Sequence, residues 1–118
     1  MNTIYPIKPI NYDQLPGSVI SHIMTEADNL SEVSFVEMEA GSTIEPHTHK
    51  VDANMFILSG TATVLSDDEN NGRTVTKGDC VFFEALKPHG FRAGKEGMSF
   101  LSINGGILQK DGSLDFVS

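Results

Sequence analysis

The chain has 118 residues, of which 39% are hydrophobic and 20% charged, a globular balance sized for one domain that excludes a disordered chain and two separate cores. Eight Lys and Arg stand against sixteen Asp and Glu, a formal net charge of −8 with no basic stripe, so nucleic acid is not an expected partner. Cys80 is the single cysteine, which rules out an internal disulfide and a cysteine-based zinc cluster within one chain.

In chain order, Met1-Asn2-Thr3-Ile4-Tyr5-Pro6 has neither a basic leader region nor a continuous apolar run, and no later segment is apolar for long enough to span a bilayer. A cytoplasmic protein with no membrane partner is expected. Residues 1–17 hold Pro6, Pro9 and Pro16 and read as an extended arm, lying across its own barrel or a neighbour's. Residues 18–118 then form the barrel domain. Short stretches rich in Val, Ile, Phe and Thr, separated by Gly or Asn/Asp clusters, predict strands at 18–23, 33–40, 53–59, 61–65, 73–76, 80–83, 89–93 and 98–103. Reversals are expected at Asp67-Asp68-Glu69-Asn70-Asn71-Gly72, Lys77-Gly78-Asp79 and Gly94-Lys95-Glu96-Gly97. Only residues 25–30 hint at a helical turn. Many short strands in a small chain must hide their edges, which predicts an all-β closed barrel or jelly roll and, with the arm, a homodimer. Cys80 is expected as a small buried strand residue, and Phe35, Met38, Met55, Phe56, Phe82, Phe83, Phe91 and Phe100 as mostly core.

Three of the four histidines form a pattern. His47-Thr48-His49 places two imidazoles on one face of an extended strand, where residues two apart point the same way. A third, His89, ends the segment that begins Gly78-Asp79-Cys80. Three neutral imidazoles converging in an apolar barrel suit a borderline divalent metal such as iron, zinc, nickel or manganese. His22 lies before this pattern and reads as a solvent-facing or hydrogen-bonded strand residue.

These residues resemble the two motifs of the cupin superfamily. The first runs from a glycine through His-x-His and a glutamate to a closing glycine, and Gly41, His47, His49 and Gly60 match it. The second runs from a glycine to a proline and a histidine, and Gly78, Asp79, Pro88 and His89 match it. The resemblance covers nearly half the chain and implies a jelly-roll barrel with His47, His49 and His89 around a central metal, often in a homodimer. Two departures stand out. The glutamate position falls on Ala53, with Asp52 and Asn54 turned away by strand alternation, and Glu84 and Leu86 replace the second motif's first proline and inner glycine. A loop of different shape is expected there, with water or substrate as the fourth ligand. Three ligands and an open position suit an enzyme acting on a small polar molecule by dioxygenase, lyase, isomerase or hydrolytic chemistry. A non-catalytic module that binds or senses a small ligand is the alternative. Glu84 is expected as an exposed loop carboxylate, and Lys50, Lys87 and Arg92 as solvated charges.

Overall fold

The computed structural model describes residues 8–23, 32–104 and 115–116. Among them are nine strands and no helix: β1 (Lys8–Ile10), β2 (Ser18–Ile23), β3 (Glu32–Met38), β4 (Thr43–Thr48), β5 (Ala53–Ser66), β6 (Thr74–Thr76), β7 (Cys80–Phe83), β8 (His89–Asn104) and β9 (Asp115–Phe116). The helical turn expected over residues 25–30 and the side chain of His22 lie outside the described residues. Every strand pair is antiparallel, in the order β1-β2-β3-β8-β4-β9, with β5 along the other edge of β8 and β6 and β7 added to β5. The result is the expected all-β jelly-roll barrel.

Two expectations about the strands are corrected. Segments 53–59 and 61–65 are one strand, β5, and segments 89–93 and 98–103 are one strand, β8, while β4 is an additional strand. The polar, glycine-flanked tetrad at 94–97 is not a reversal: Gly60 pairs with Met98 and Ala62 with Ala93, so four residues of β8 stand opposite Thr61 alone. Such a bulge bends a strand sharply, and β8 uses the bend to change neighbours. Before the bulge it runs beside β4, and after it beside β3, keeping β5 on its other edge throughout. The bulge depends on backbone that only glycine adopts freely, with φ of 71° at Gly60 and 77° at Gly97. A Cβ on Gly60 would also collide with the carbonyl oxygen of Gly97.

Alternation sorts the side chains. Ala53, Met55, Ile57, Ala62 and Val64 of β5 point inward and meet Phe91, Ala93, Met98 and Phe100 of β8 with Val36, Met38 and Ile44. Phe91 contacts Phe83 and Phe100 with ring centroids 5.7 and 5.2 Å apart, offset arrangements that suit aromatic quadrupoles. Of the aromatic and methionine residues expected in the core, Met38, Met55, Phe83, Phe91 and Phe100 are buried, Phe35 is half-buried, and Phe56 and Phe82 are exposed. Cys80 is likewise exposed rather than buried. It pairs with Phe56 on the outward face, because Phe83, three residues on and therefore on the opposite face, is the inward residue of β7.

Gly60→Ala should therefore destabilise the fold by more than about 2 kcal/mol, combining a left-handed backbone cost of about 1–2 kcal/mol with the collision. Gly41, at φ 72° with nothing near its missing Cβ, should lose only the backbone part on substitution by Ala. Urea unfolding of both variants checks the difference.

Candidate metal centre

The histidine pair owes its orientation to a second bulge. Ile44 pairs with Phe91 and His47 with His89, so three steps along β4 match two along β8. The extra residue falls at Glu45-Pro46, where proline, lacking an N–H, forfeits no ladder bond. In a regular strand Ile44 and His47, three residues apart, would face opposite sides, since side chains alternate with period two. With the bulge, Ile44, His47 and His49 are all buried on the inner face. Gly90, next to His89, permits the close approach, because a Cβ there would strike the carbonyl oxygen of Ile44.

The three imidazoles are buried, their rings 4.7–4.8 Å apart, and one ligand nitrogen from each falls within 4.8 Å of the others. Backbone carbonyls assign the tautomers. His47 Nδ1–H donates to Glu45 O at 2.8 Å and His89 Nδ1–H to Lys87 O at 3.1 Å, each two residues upstream, which leaves both Nε2 lone pairs aimed inward. His47 Nε2 and His49 Nε2 are 3.1 Å apart, close to the separation of two nitrogens that each lie about 2.0–2.1 Å from one ion. His89 Nε2 and His49 Nδ1 are buried with no hydrogen-bond partner, an arrangement that is costly unless something else satisfies it. Phe83 stacks on His89 at 4.4 Å and 13°, fixing the ring plane. The donor set fits a divalent metal ion: three neutral imidazoles, two of them oriented by carbonyls.

Burial and mutual repulsion favour the neutral form of the three imidazoles. Burial, followed by the charges of His89 and His47, lowers His49 to about 3. Burial and then His47 lower His89 to about 4, against the opposing bond to Lys87 O. His47 is lowered chiefly by burial.

The loop between β7 and His89 is tied to the segment that follows His49. Leu86 N–H donates to His49 O at 2.8 Å and Ala85 N–H to the Asp52 carboxylate at 2.8 Å. Leu86 has φ 65° and is 68% exposed. Its backbone thus adopts the left-handed conformation suited to the glycine of the resembled motif, at a cost of about 1–2 kcal/mol for a leucine. The expected change of loop shape does not extend to this residue.

Ala53 is buried at 0% exposure, while Asp52, Asn54 and Glu84 are exposed, so among the described residues no carboxylate joins the histidines. Lys50, Lys87 and Arg92 are exposed as well. The imidazoles open onto a cavity of about 60 Å³ walled by apolar side chains, among them Leu15, Ile44, Met55, Phe91 and Phe100, together with Ser34, Ser102 and Asn104. Phe83, Gly90, Asp52 and the three polar wall residues are the components that motif reading misses. Only Gly90, adjoining a motif histidine, leaves a local trace in the sequence.

Because the folded values of His49 and His89 lie below the 6.5 of an ordinary imidazole, the unfolded chain binds protons first as pH falls. The metal-free protein should keep its full stability above about pH 6.5 and lose it progressively towards pH 4. Urea midpoints between pH 7.5 and 4.5 test this, and His49→Gln should flatten the dependence.

Comparison with known proteins agrees with this architecture. No curated protein matches the chain by sequence. Among solved structures, the polyketide cyclase RemF from Streptomyces resistomycificus superposes with TM-score 0.80 at 17% identity over 100% of this chain and 86% of its own. A cupin-2 domain from Rhodospirillum rubrum gives 0.80 at 15% over 100% and 80%. An oxalate decarboxylase from Bacillus subtilis gives 0.78 at 20% over 99% of this chain, which spans only 34% of that longer protein, an enzyme with Mn(II) centres. The Cupin domain family model matches residues 34–104, more than half the length, from within β3 to the end of β8. The chain belongs to the cupin domain family.

Proposed function

We propose that His47, His49 and His89 hold one divalent metal ion, and that the cavity beside them is the active site of an enzyme acting on a small polar molecule. The observation that carries this reading is the unpartnered, buried Nε2 of His89 beside the closely spaced Nε2 atoms of His47 and His49. Iron, zinc, nickel and manganese all suit imidazole donors, and the Mn(II) of the oxalate decarboxylase supports manganese within that set. When bound, such an ion supplies Lewis-acid polarisation of a ligand oxygen and, for a redox-active metal, electron transfer.

The chain's own contribution is orientation and an apolar lining. Glu45 O and Lys87 O hold the imidazoles of His47 and His89 by Nδ1, Phe83 also fixes the ring plane of His89, and Met55, Phe91 and Phe100 line the cavity with apolar surface. An apolar wall strengthens any electrostatic interaction beside it. Among the described residues that line the cavity, only the histidines are titratable. Dioxygenase, lyase or isomerase reactions would therefore draw their acid and base from the ligand itself. The same observation favours the second reading, a module that binds or senses a small ligand without converting it.

After dialysis, elemental analysis should find about one ion per chain. His49→Ala should lower metal affinity by about tenfold or more, given the weight of one ligand among three, whereas His22→Ala should leave it unchanged. Equal metal retention by the two variants would remove the assignment.

A homodimer built on the outer sheet face belongs to the same reading, with residues 1–17 as an arm on the 18–118 barrel. Across β7, β5, β8 and β3, the residues Cys80, Phe56, Leu101 and Phe35 lie in register, beside Phe82 at 58% exposure. Apolar rows of this extent mark association surfaces. The reading takes the protein as cytoplasmic and its partner as a small molecule rather than nucleic acid, given the net charge of −8. Among the described residues no helix is long and apolar enough to cross a membrane. Sedimentation at micromolar concentration should give about twice the monomer mass, and Phe82→Asp should shift the protein towards monomer.

A further inference from the structure

We propose that the cavity selects a small organic anion, a carboxylate that faces the three histidines and carries a second oxygen received by Ser102 and Asn104. The inference rests on the three-histidine metal reading and names the class of molecule that completes it.

Charge is the first argument. Among the described residues no Asp, Glu, Lys or Arg lines the cavity, and an imidazole that donates a lone pair to a metal carries no charge of its own. A divalent ion held there would keep both its charges uncompensated among apolar walls, and an uncompensated buried charge is strongly unfavourable. The inward position from which the resembled motif would supply a carboxylate is Ala53, fully buried and without a polar atom in its side chain. The compensating charge must then arrive with the ligand, so an anion is bound in preference to a neutral molecule of the same shape.

The second argument is the composition of the wall. Asn104, 1% exposed, pairs across β5 with Ala53, and Ser102 pairs with both Met55 and Ser34. Ser102 Oγ donates to Asn104 Oδ1 at 3.4 Å, turning the carboxamide oxygen towards the hydroxyl. Neutral hydrogen-bonding groups can receive an oxygen of the ligand without cancelling the charge preference, and in an otherwise apolar wall they select for a polar substituent. Size supplies the third argument. About 60 Å³ beside the histidines is room for roughly four to six waters, which matches a ligand of comparably few non-hydrogen atoms.

The test uses full-length protein loaded with cobalt(II), whose visible bands report ligand binding directly. Acetate and acetamide have the same shape and differ in charge. Acetate should perturb the bands at concentrations about tenfold or more below acetamide, the difference expected of a charge-assisted contact over a neutral one. Glycolate adds a hydroxyl, and Asn104→Ala or Ser102→Ala should weaken glycolate about three- to tenfold, the effect of one lost hydrogen bond, and acetate less. Ala53→Glu should retain cobalt and lose the preference for acetate. Benzoate should leave the bands unchanged. Equal responses to acetate and acetamide, a benzoate response matching that of acetate, or an unaltered glycolate-to-acetate ratio in both wall variants would overturn the proposal. Elemental analysis separates the two failures: a chain that takes up no cobalt overturns the metal reading together with this one, whereas a cobalt-replete chain indifferent to acetate overturns this one alone.

Discussion

The pairing of β5 with β8 organises the molecule. It begins with Ala53 opposite Asn104 and ends with Ser66 opposite His89, so it spans both strands from end to end. Every other strand except β1, β2 and β9 pairs directly with one of these two. A fully extended strand of sixteen residues would keep its ends about 50 Å apart at roughly 3.3 Å per residue. The bulge opposite Thr61 bends that line, and His89 and Asn104, the first and last residues of β8, line one cavity. The polar wall and the imidazole cluster are thus two ends of a single strand, held together by its partner.

Within that frame, burial has opposite effects on proton and metal. Removing an imidazole from water disfavours its charged form, which is why all three histidines resist protonation. A neutral imidazole is also the form that donates to a metal. The same low-dielectric surroundings that make His89 Nε2 costly to leave unsatisfied keep it in the form that a metal ion would take. The carbonyls of Glu45 and Lys87 complete the arrangement by holding the proton on the far nitrogen.

The sequence made some of this legible and hid the rest for identifiable reasons. The same-face relation of His47 and His49 follows from the strand period, and the count from either side leads to Ala53, which is buried on the inner face. The direction in which that face points does not follow, because it depends on the bulge at Glu45-Pro46, visible only in the pairing with β8. Residues 94–97 have the composition of a tight turn, and only their long-range register against Thr61 makes them a bulge. That bulge also resets the phase of β8, so Ser102 and Asn104 could not be assigned to the inner face by alternation from His89. Cys80 was misjudged because β7 has four residues, too few for its period to be read without Phe56 opposite. Leu86 gives no sign of a left-handed backbone, since its side chain belongs to a residue type that avoids one.

The bulge at Glu45-Pro46 makes the histidine site a matter of parity. Replacing a histidine removes one donor and leaves the other two in place. Removing both residues between Ile44 and His47 would instead leave the three histidines in the sequence and turn His47 and His49 together towards solvent, if β4 kept its pairing with β8 through Ile44, because His47 would then adjoin Ile44. Removing only one would close the bulge and keep both facing inward. The acquisition or loss of such a site by a barrel of this kind is then reachable through a short length change in a single strand, with no alteration of the histidines themselves. Grafting His-x-His onto another barrel would succeed or fail on the same count.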